Sequence, residues 1–144
     1  PAYSEAFARN DRAWIRTKLV RSTTLAVGVA ALGSLPLVLF GSKIIGLWIG
    51  HAASVPFDLL LSFGVWKVLE AGGLALSNFL NGARIVKYQV IVSVITGFVA
   101  LALKIYLANK IGIAGVNWAT TIAFFTFAIL PYLFILKTQY RQLL

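Results

Sequence analysis

The chain has 144 residues, of which 60% are hydrophobic and 12% are charged, and its mean hydropathy is +0.88. These values are not those of a soluble globular domain. Cysteine is absent, which excludes disulfides and thiolate metal sites. The net charge of +9 would suggest nucleic-acid binding in a soluble protein, but the apolar composition and the positions of the charges argue against that partner.

Four apolar stretches fill nearly all of the chain after its first segment. A helix of about 20 apolar residues crosses the roughly 30 Å of hydrocarbon in a bilayer. We therefore predict an all-α integral membrane protein with four transmembrane helices, at about residues 20–40, 55–79, 89–108 and 113–136. Residues 1–21 are predicted as a basic juxtamembrane segment, and residues 22–144 as the four-helix transmembrane region.

The first segment is polar and rich in arginine. Arg9, Arg12 and Arg16 recur at helical spacing, and Tyr3 and Trp14 suit the level of the lipid headgroups. We expect a helix held by anionic lipid, with each basic residue near the surface contributing about 1 kcal/mol. A direct role in substrate binding is the alternative. The chain opens with Pro1 and not with methionine, and no signal-peptide pattern follows, so a piece of a longer protein is expected, and a processed mature product is the alternative.

The basic residues predict the orientation in the membrane. With four spans, three lie on one side (Lys43, Lys104 and Lys110). Nine lie on the other: Arg9, Arg12, Arg16, Lys18, Arg21, Arg84, Lys87, Lys137 and Arg141. By the positive-inside rule, both termini are expected to be cytoplasmic, with the loops near His51 and Asn109 outside. His51 has no second ligand nearby, so we interpret it as a solvated loop residue and predict no metal site.

Prolines and small residues in the spans predict kinks and sites of close helix packing. Pro36 predicts a break or kink in the first helix, and residues 42–50 predict a short interfacial piece after it. Gly115, Ala119 and Ala123 recur every four residues in the fourth span, which favours close approach of another helix. Pro131 predicts a kink before the end of that span.

Lys67 and Glu70 are the only charged residues near the middle of a predicted span. A charge there costs about 2.5–3.5 kcal/mol on insertion scales if it faces lipid. Their spacing of three residues allows them to pair on one helix face. At about 100° per residue, one arc of roughly 100° holds five polar residues: Lys67, Glu70, Ser77, Asn78 and Asn81. The other side is largely apolar, and its members include Val65, Leu69, Leu76 and Phe79.

This polar stripe predicts the wall of a cavity. The alternative is that Lys67 and Glu70 only neutralise each other inside the bundle, although desolvation can exceed the Coulombic gain of a buried pair. The four carboxylates are not spaced for acid–base catalysis, and no nucleophile–histidine pattern or glycine-rich phosphate loop is present. We therefore expect no catalytic residues, no cofactor and no enzymatic activity.

Several stretches resemble the C-terminal region of bacterial polysaccharide flippases. These stretches are the PAYSEA start, the basic segment after it, LFGSKIIGLWIG at 39–50, NGARIVKYQV at 81–90 and GIAGVNWATTIA at 112–123. The resemblance covers essentially the whole chain. It points to the O-antigen and teichuronic-acid type exporters of the MATE-like multidrug/oligosaccharidyl-lipid/polysaccharide superfamily.

The resemblance implies a fold, a substrate and a location. The chain would supply about the last four helices, in the C-terminal lobe, of a twelve-helix transporter whose N-terminal lobe is missing here. The implied substrate is an undecaprenyl-pyrophosphate-linked oligosaccharide, flipped across the bacterial inner membrane for polysaccharide biosynthesis. Substrate contacts are expected from Lys67, Glu70, Asn78 and Asn81, which lie on the predicted cavity wall. Cytoplasmic basic contacts are expected from Arg12, Arg16, Arg84 and Lys87.

Two other functions remain open from the sequence. A multidrug exporter of the same superfamily would favour net acidic cavity residues, whereas this face offers one lysine and one glutamate. A small four-helix accessory protein that binds a larger membrane enzyme is the other alternative.

Overall fold

The computed structural model describes residues 2–49 and 55–139. The expectations for Pro1, His51 and Arg141 lie outside these residues. The described part of the chain is helical apart from short turns and contains no strand. Its helices are α1 (Ala2–Ala8), α2 (Arg12–Ile49), α3 (Phe57–Gly82), α4 (Val86–Ile111), α5 (Ile113–Phe124), a π-helix (Phe125–Ile129) and α6 (Leu130–Gln139).

Four helices in the described residues are long and apolar enough to cross a membrane. Three are α2, α3 and α4, and the fourth is the continuous run of α5, the π-helix and α6. The predicted all-helical, four-span class is therefore confirmed. The boundary predicted at residue 21 falls inside α2, where the helix continues without a break.

The first membrane helix is much longer than predicted. It has 38 residues, which corresponds to about 57 Å at 1.5 Å per residue. Residues 42–49, expected with residue 50 as a short interfacial piece, are not a separate element but continue α2. Their place at the membrane interface stays a prediction. Pro36 lies inside this helix and does not end it. A helix tolerates such a proline in a membrane when local adjustments satisfy the freed backbone groups.

A tight turn separates α1 from α2. Asn10 has a left-handed φ of +54°, and the Asp11 carboxylate caps α2 by accepting a 3.0 Å hydrogen bond from the backbone N–H of Trp14. The helical spacing predicted for Arg9 with Arg12 and Arg16 is therefore wrong. Arg9 lies in the turn, whereas Arg12 begins α2.

Helix α3 is central, with α2 packed on one side and α5 on the other, and α4 packs mainly on α5. Glycines bring these helices close together. A Cβ atom at Gly64 would lie 2.5 Å from Cγ2 of Val38 on α2, and one at Gly73 would lie 2.6 Å from Cζ of Phe124 on α5. Helix α3 is thus fixed between two neighbours by the absence of side chains at two positions.

The small residues of the fourth span are buried as predicted. Ala119 and Ala123 have no exposed surface, and a Cβ at Gly115 would clash with the backbone of Leu107 on α4. Gly112 alone joins α4 to α5, with a φ of +70°. The close approach of helices predicted from the four-residue repeat is confirmed.

The distortion expected at Pro131 takes a specific form. The π-helix lies directly before this proline, and the N–H of Leu130 donates to the carbonyl of Phe125, five residues earlier. Single π-helical turns of this kind interrupt α-helices and disturb the regular ladder. The fourth span therefore changes its side-chain register just before its final turns.

The buried core lies toward one end of the bundle. We call the end with α1 and the α3–α4 turn the proximal end, and the end with the α4–α5 turn the distal end. Phe79 and Leu80 of α3 have no exposed surface and form the centre of this core. Around them pack residues from α1, α2, α4 and the fourth span: Ala6, Ile15, Leu19, Val92, Ala128, Ile129, Tyr132, Ile135 and Leu136.

Candidate functional site

The two charged residues predicted in the second span form an ion pair on α3. The Nζ atom of Lys67 lies 2.7 Å from Oε2 of Glu70. Helix α3 begins at Phe57 and ends at Gly82. At 1.5 Å per residue along the helix axis, Lys67 lies about 15 Å from its first residue and about 22 Å from its last. The pair therefore lies near the middle of a helix that is long enough to cross a membrane.

This ion pair is not covered by the described residues. The side chain of Lys67 is 59% exposed and that of Glu70 is 36% exposed. They belong to a side of α3 between α2 and α4, which we call the open face. Its residues are Phe63, Lys67, Glu70, Leu74, Asn78 and Asn81, all exposed except Glu70, which is half-buried.

Two grooves follow the seam between α2 and the open face. One has a volume of about 300 Å³ and is lined by Lys67 together with apolar residues such as Val38 and Phe63. The other, of about 630 Å³, lies nearer the proximal end and is lined by Asn78 and Tyr3 among others. Each groove thus combines a long apolar wall with a polar group from the open face or the proximal end.

The predicted polar stripe is not uniform, because two of its residues bond to α4. Ser77, at one edge of the stripe, donates a 2.6 Å hydrogen bond to Oε1 of Gln89 on α4. The Nε2 group of Gln89 donates across 2.8 Å to Oδ1 of Asn81. The stripe therefore divides into a hydrogen-bonded cluster near the proximal end and the ion pair at mid-helix.

Gln89 was not singled out by the sequence, although it holds this cluster together. Its side chain is buried, and it also donates to the carbonyl of Ile85 at 3.4 Å. An amide among apolar residues at the start of a span is the signal that points to it. Because the amide oxygen of Asn81 faces Gln89, its NH₂ group is directed elsewhere, one helical turn from the exposed amide of Asn78.

The side of α3 opposite the stripe was predicted to be apolar, and its residues differ in how deeply they are buried. Leu76 and Phe79 are buried in the core, Leu69 is half-buried and Val65 is exposed. The buried pair accounts for the anchoring of α3 at the proximal end. Val65 lines a separate apolar groove of about 560 Å³ between α2 and α3.

Aromatic side chains pack where α1 meets the membrane helices. The ring centroid of Tyr3 lies 5.6 Å from that of Phe79 and 5.8 Å from that of Trp14, both in edge-on geometry. The tyrosine hydroxyl lies 3.3 Å from Oγ of Ser22. Tyr3 and Trp14, expected at the headgroup level, therefore also attach α1 to α2 and α3.

The four residues expected to make cytoplasmic basic contacts are exposed. Arg12 and Arg16 lie in the first turns of α2, and Arg84 and Lys87 lie at the α3–α4 turn. Arg84 has a left-handed φ of +60°. All four occupy the proximal end, so the structure does not bring them to the mid-helix position of Lys67.

Polar contacts between α3 and α5 at the distal end were not predicted. Nε1 of Trp118 donates across 3.2 Å to the Asp58 carboxylate, and Nδ2 of Asn117 donates across 3.2 Å to Oγ of buried Ser62. Asn117 and Trp118 belong to the stretch GVNWA, whose polar members gave no indication of their partners. These bonds position α3 against α5 and leave the open face unchanged.

The candidate site is thus the open face of α3, with one cation, one carboxylate and the amides of Asn78 and Asn81. Comparisons of the chain with known protein families, with curated proteins and with solved structures found no match. The chemistry of the site must therefore be argued from its residues. A paired ammonium group and neighbouring amide donors suit a ligand that carries anionic or hydroxyl oxygen atoms.

Proposed function

We propose that the chain is the C-terminal part of a transporter that flips undecaprenyl-pyrophosphate-linked oligosaccharides across the bacterial inner membrane. The observation that carries this proposal is the exposed Lys67–Glu70 pair at the middle of α3. Charged residues inside a membrane usually face protein or a water-filled cavity and mark substrate or ion pathways. The sequence stretches that resemble polysaccharide flippases are the second support.

In the proposed transporter, the open face lines a central cavity and the N-terminal lobe supplies the other wall. This arrangement makes the chain most of the C-terminal lobe of a MATE-like, twelve-helix protein. The long apolar grooves beside Lys67 and Asn78 suit the lipid carrier of such a substrate. The polar groups of the same face suit its pyrophosphate and sugars.

Lys67 is proposed to contact the anionic head of the carrier. A lysine ammonium group acts on phosphate as a compact point charge and needs no bidentate geometry. Glu70, at 2.7 Å, holds this ammonium group in place and limits its net charge. Asn78 and Asn81 are proposed to donate hydrogen bonds to the head group nearer the proximal end.

The proximal end is proposed to be cytoplasmic, with both termini on that side. Arg12, Arg16, Arg84 and Lys87 are exposed there and would meet anionic lipid headgroups. Each basic residue near such a surface contributes about 1 kcal/mol of attraction. This lipid contact would hold the proximal end at the membrane surface.

The test of the proposal is polysaccharide export by the complete transporter with changes at Lys67. We expect Lys67→Ala to lower export sharply at unchanged protein level, and Lys67→Arg to retain much of it. Lys110→Ala is the matched control, since this exposed lysine lies at the distal end of α4, and we expect it to leave export unchanged.

A purely structural ion pair would give a different result. Lys67→Ala would then leave Glu70 without its partner and lower the amount of protein. The double change of Lys67→Leu with Glu70→Leu would restore both folding and export. Full export by this double variant would refute the proposed role of Lys67.

A further inference from the structure

The open face has the residue spacing of a helix-packing seam. From Phe63, positions along α3 advance by four, three, four, three and four residues through Lys67, Glu70, Leu74, Ser77 and Asn81. This is the alternation of a and d positions in a coiled coil, which pack against a facing helix. Ser77 already has a partner on α4, because its hydroxyl donates a hydrogen bond to Gln89. Phe63 and Leu74, in contrast, are 49% and 61% exposed.

In the described part of the chain, α4 reaches this seam at Ser77 and Asn81 through Gln89, and no helix covers its other positions. Helices α2 and α5 lie against other sides of α3, and α4 touches it chiefly near the proximal end through Ser77. The Lys67–Glu70 pair is therefore left facing outward at mid-helix. Exposure of such a pair to lipid is unfavourable, so the face requires an occupant.

We infer that the 144-residue chain, when it is alone in a bilayer, covers the open face with a second copy of itself. The two copies are related by a two-fold axis parallel to α3. This inference goes beyond the proposed transport function, because it concerns the chain in the absence of any second lobe.

The charges of the face are self-complementary under this symmetry. Identical copies insert with the same orientation, so a two-fold axis along the membrane normal places equal depths opposite one another. A two-fold interface is made of the same patch on both copies, so each residue pair occurs twice. Lys67 of one copy therefore lies at the depth of Lys67 of the second copy, and Glu70 at the depth of Glu70, about 4.5 Å away along the axis. Because the two residues lie on opposite sides of the seam, as a and d positions do, each ammonium group is also beside the carboxylate of the other copy, and the four charges sum to zero.

Neighbouring residues of the open face support the same arrangement. Leu74 follows the ion pair by one helical turn on the seam, where it would meet Leu74 of the second copy. The exposed amide of Asn78 can hydrogen-bond across the interface, as asparagine side chains do between membrane helices. By contrast, the exposed apolar residues of α4, such as Phe98, are compatible with lipid and need no protein partner.

Charge exchange between two variants tests this interface in lipid vesicles or nanodiscs. In a dimer of Lys67→Glu copies, or of Glu70→Lys copies, like charges face each other, and we expect association at least about tenfold weaker than for the unmodified chain. When the two variants are mixed, two carboxylates face two ammonium groups, and association should return to within about threefold of the original. Fluorescence energy transfer between labelled copies measures both quantities.

Cross-linking locates the interface without any change of charge. The chain has no cysteine, so Leu74→Cys introduces a single thiol on the seam, and oxidation should link two copies. Phe98→Cys is the matched control, at an apolar position of α4 that is 72% exposed. A monomeric unmodified chain, equal cross-linking at both positions, or failure of the mixed variants to associate would each overturn the inference. None of these results bears on the export assay, which tests the transport proposal separately.

Discussion

The hydroxyl of Ser77 on α3 donates a 2.6 Å hydrogen bond to the side-chain oxygen of Gln89 on α4. The two helices otherwise pack little against each other. Since the same glutamine donates to Asn81, one buried amide both joins the helices and orients an asparagine of the open face. The polar cluster therefore has a structural role that is separate from that of the Lys67–Glu70 pair.

Replacement of this amide should weaken the contact between α3 and α4. Gln89→Leu leaves Ser77 and Asn81 without their partner, and we expect a loss of about 1–2 kcal/mol in the free energy of unfolding. Asn109→Leu is the control, because that exposed amide on α4 bonds only to the carbonyl of Ile105 in its own helix. Unfolding in mixed detergent micelles measures both variants, and equal losses would contradict the proposed link.

The packing of α2 on α3 should depend on the absence of a side chain at Gly64. A Cβ there would lie 2.5 Å from Val38, and overpacking of this kind costs about 1–3 kcal/mol. Gly28→Ala is the matched control within α2, because no other side chain lies within 4 Å of its Cβ position. We expect Gly64→Ala to unfold at lower denaturant concentration and Gly28→Ala to be neutral or slightly stabilising. The reverse order would argue against this helix interface.

The turn between α4 and α5 should require glycine. Gly112 has φ +70° and ψ −151°, a region essentially restricted to glycine, where other residues are strained by about 1–3 kcal/mol. We expect Gly112→Ala to lower thermal stability and to increase proteolysis at the distal end. Gly97→Ala in the interior of α4, where there is open space around the Cβ position, should have no such effect. Equal stability of the two variants would show that the turn has another conformation.

The proposed orientation can be tested with thiol labelling of intact cells. Lys110→Cys and Lys87→Cys change two exposed lysines at opposite ends of α4. By the positive-inside rule, an impermeant reagent should label the thiol at position 110 in intact cells and the one at 87 only after permeabilisation. Labelling at 87 alone would place the proximal end outside.

The class of the fold could be predicted from the sequence because burial in lipid imposes a strong, local requirement. Each span must be a long apolar segment that satisfies its own backbone hydrogen bonds, so length and composition were sufficient to find four helices. The small residues Gly115, Ala119 and Ala123 were also interpreted correctly, since their spacing alone defines a narrow helix face. The extent of α2 was not predicted correctly. A helix can continue beyond the hydrocarbon into segments whose composition does not show whether they are helical.

The division of the polar stripe could be found only from the tertiary structure. Helical periodicity places Lys67, Glu70, Ser77 and Asn81 on one arc, and the structure preserves that arc. Periodicity contains no information on which neighbouring helix meets each edge of the arc. Gln89 comes from another helix, and its contact with Ser77 depends on the α3–α4 turn and on the packing of α4 against α5. The sequence alone therefore determined the four long apolar helices and the position of the ion pair along α3, whereas helix packing decided which polar residues are bonded within the chain and which face outward.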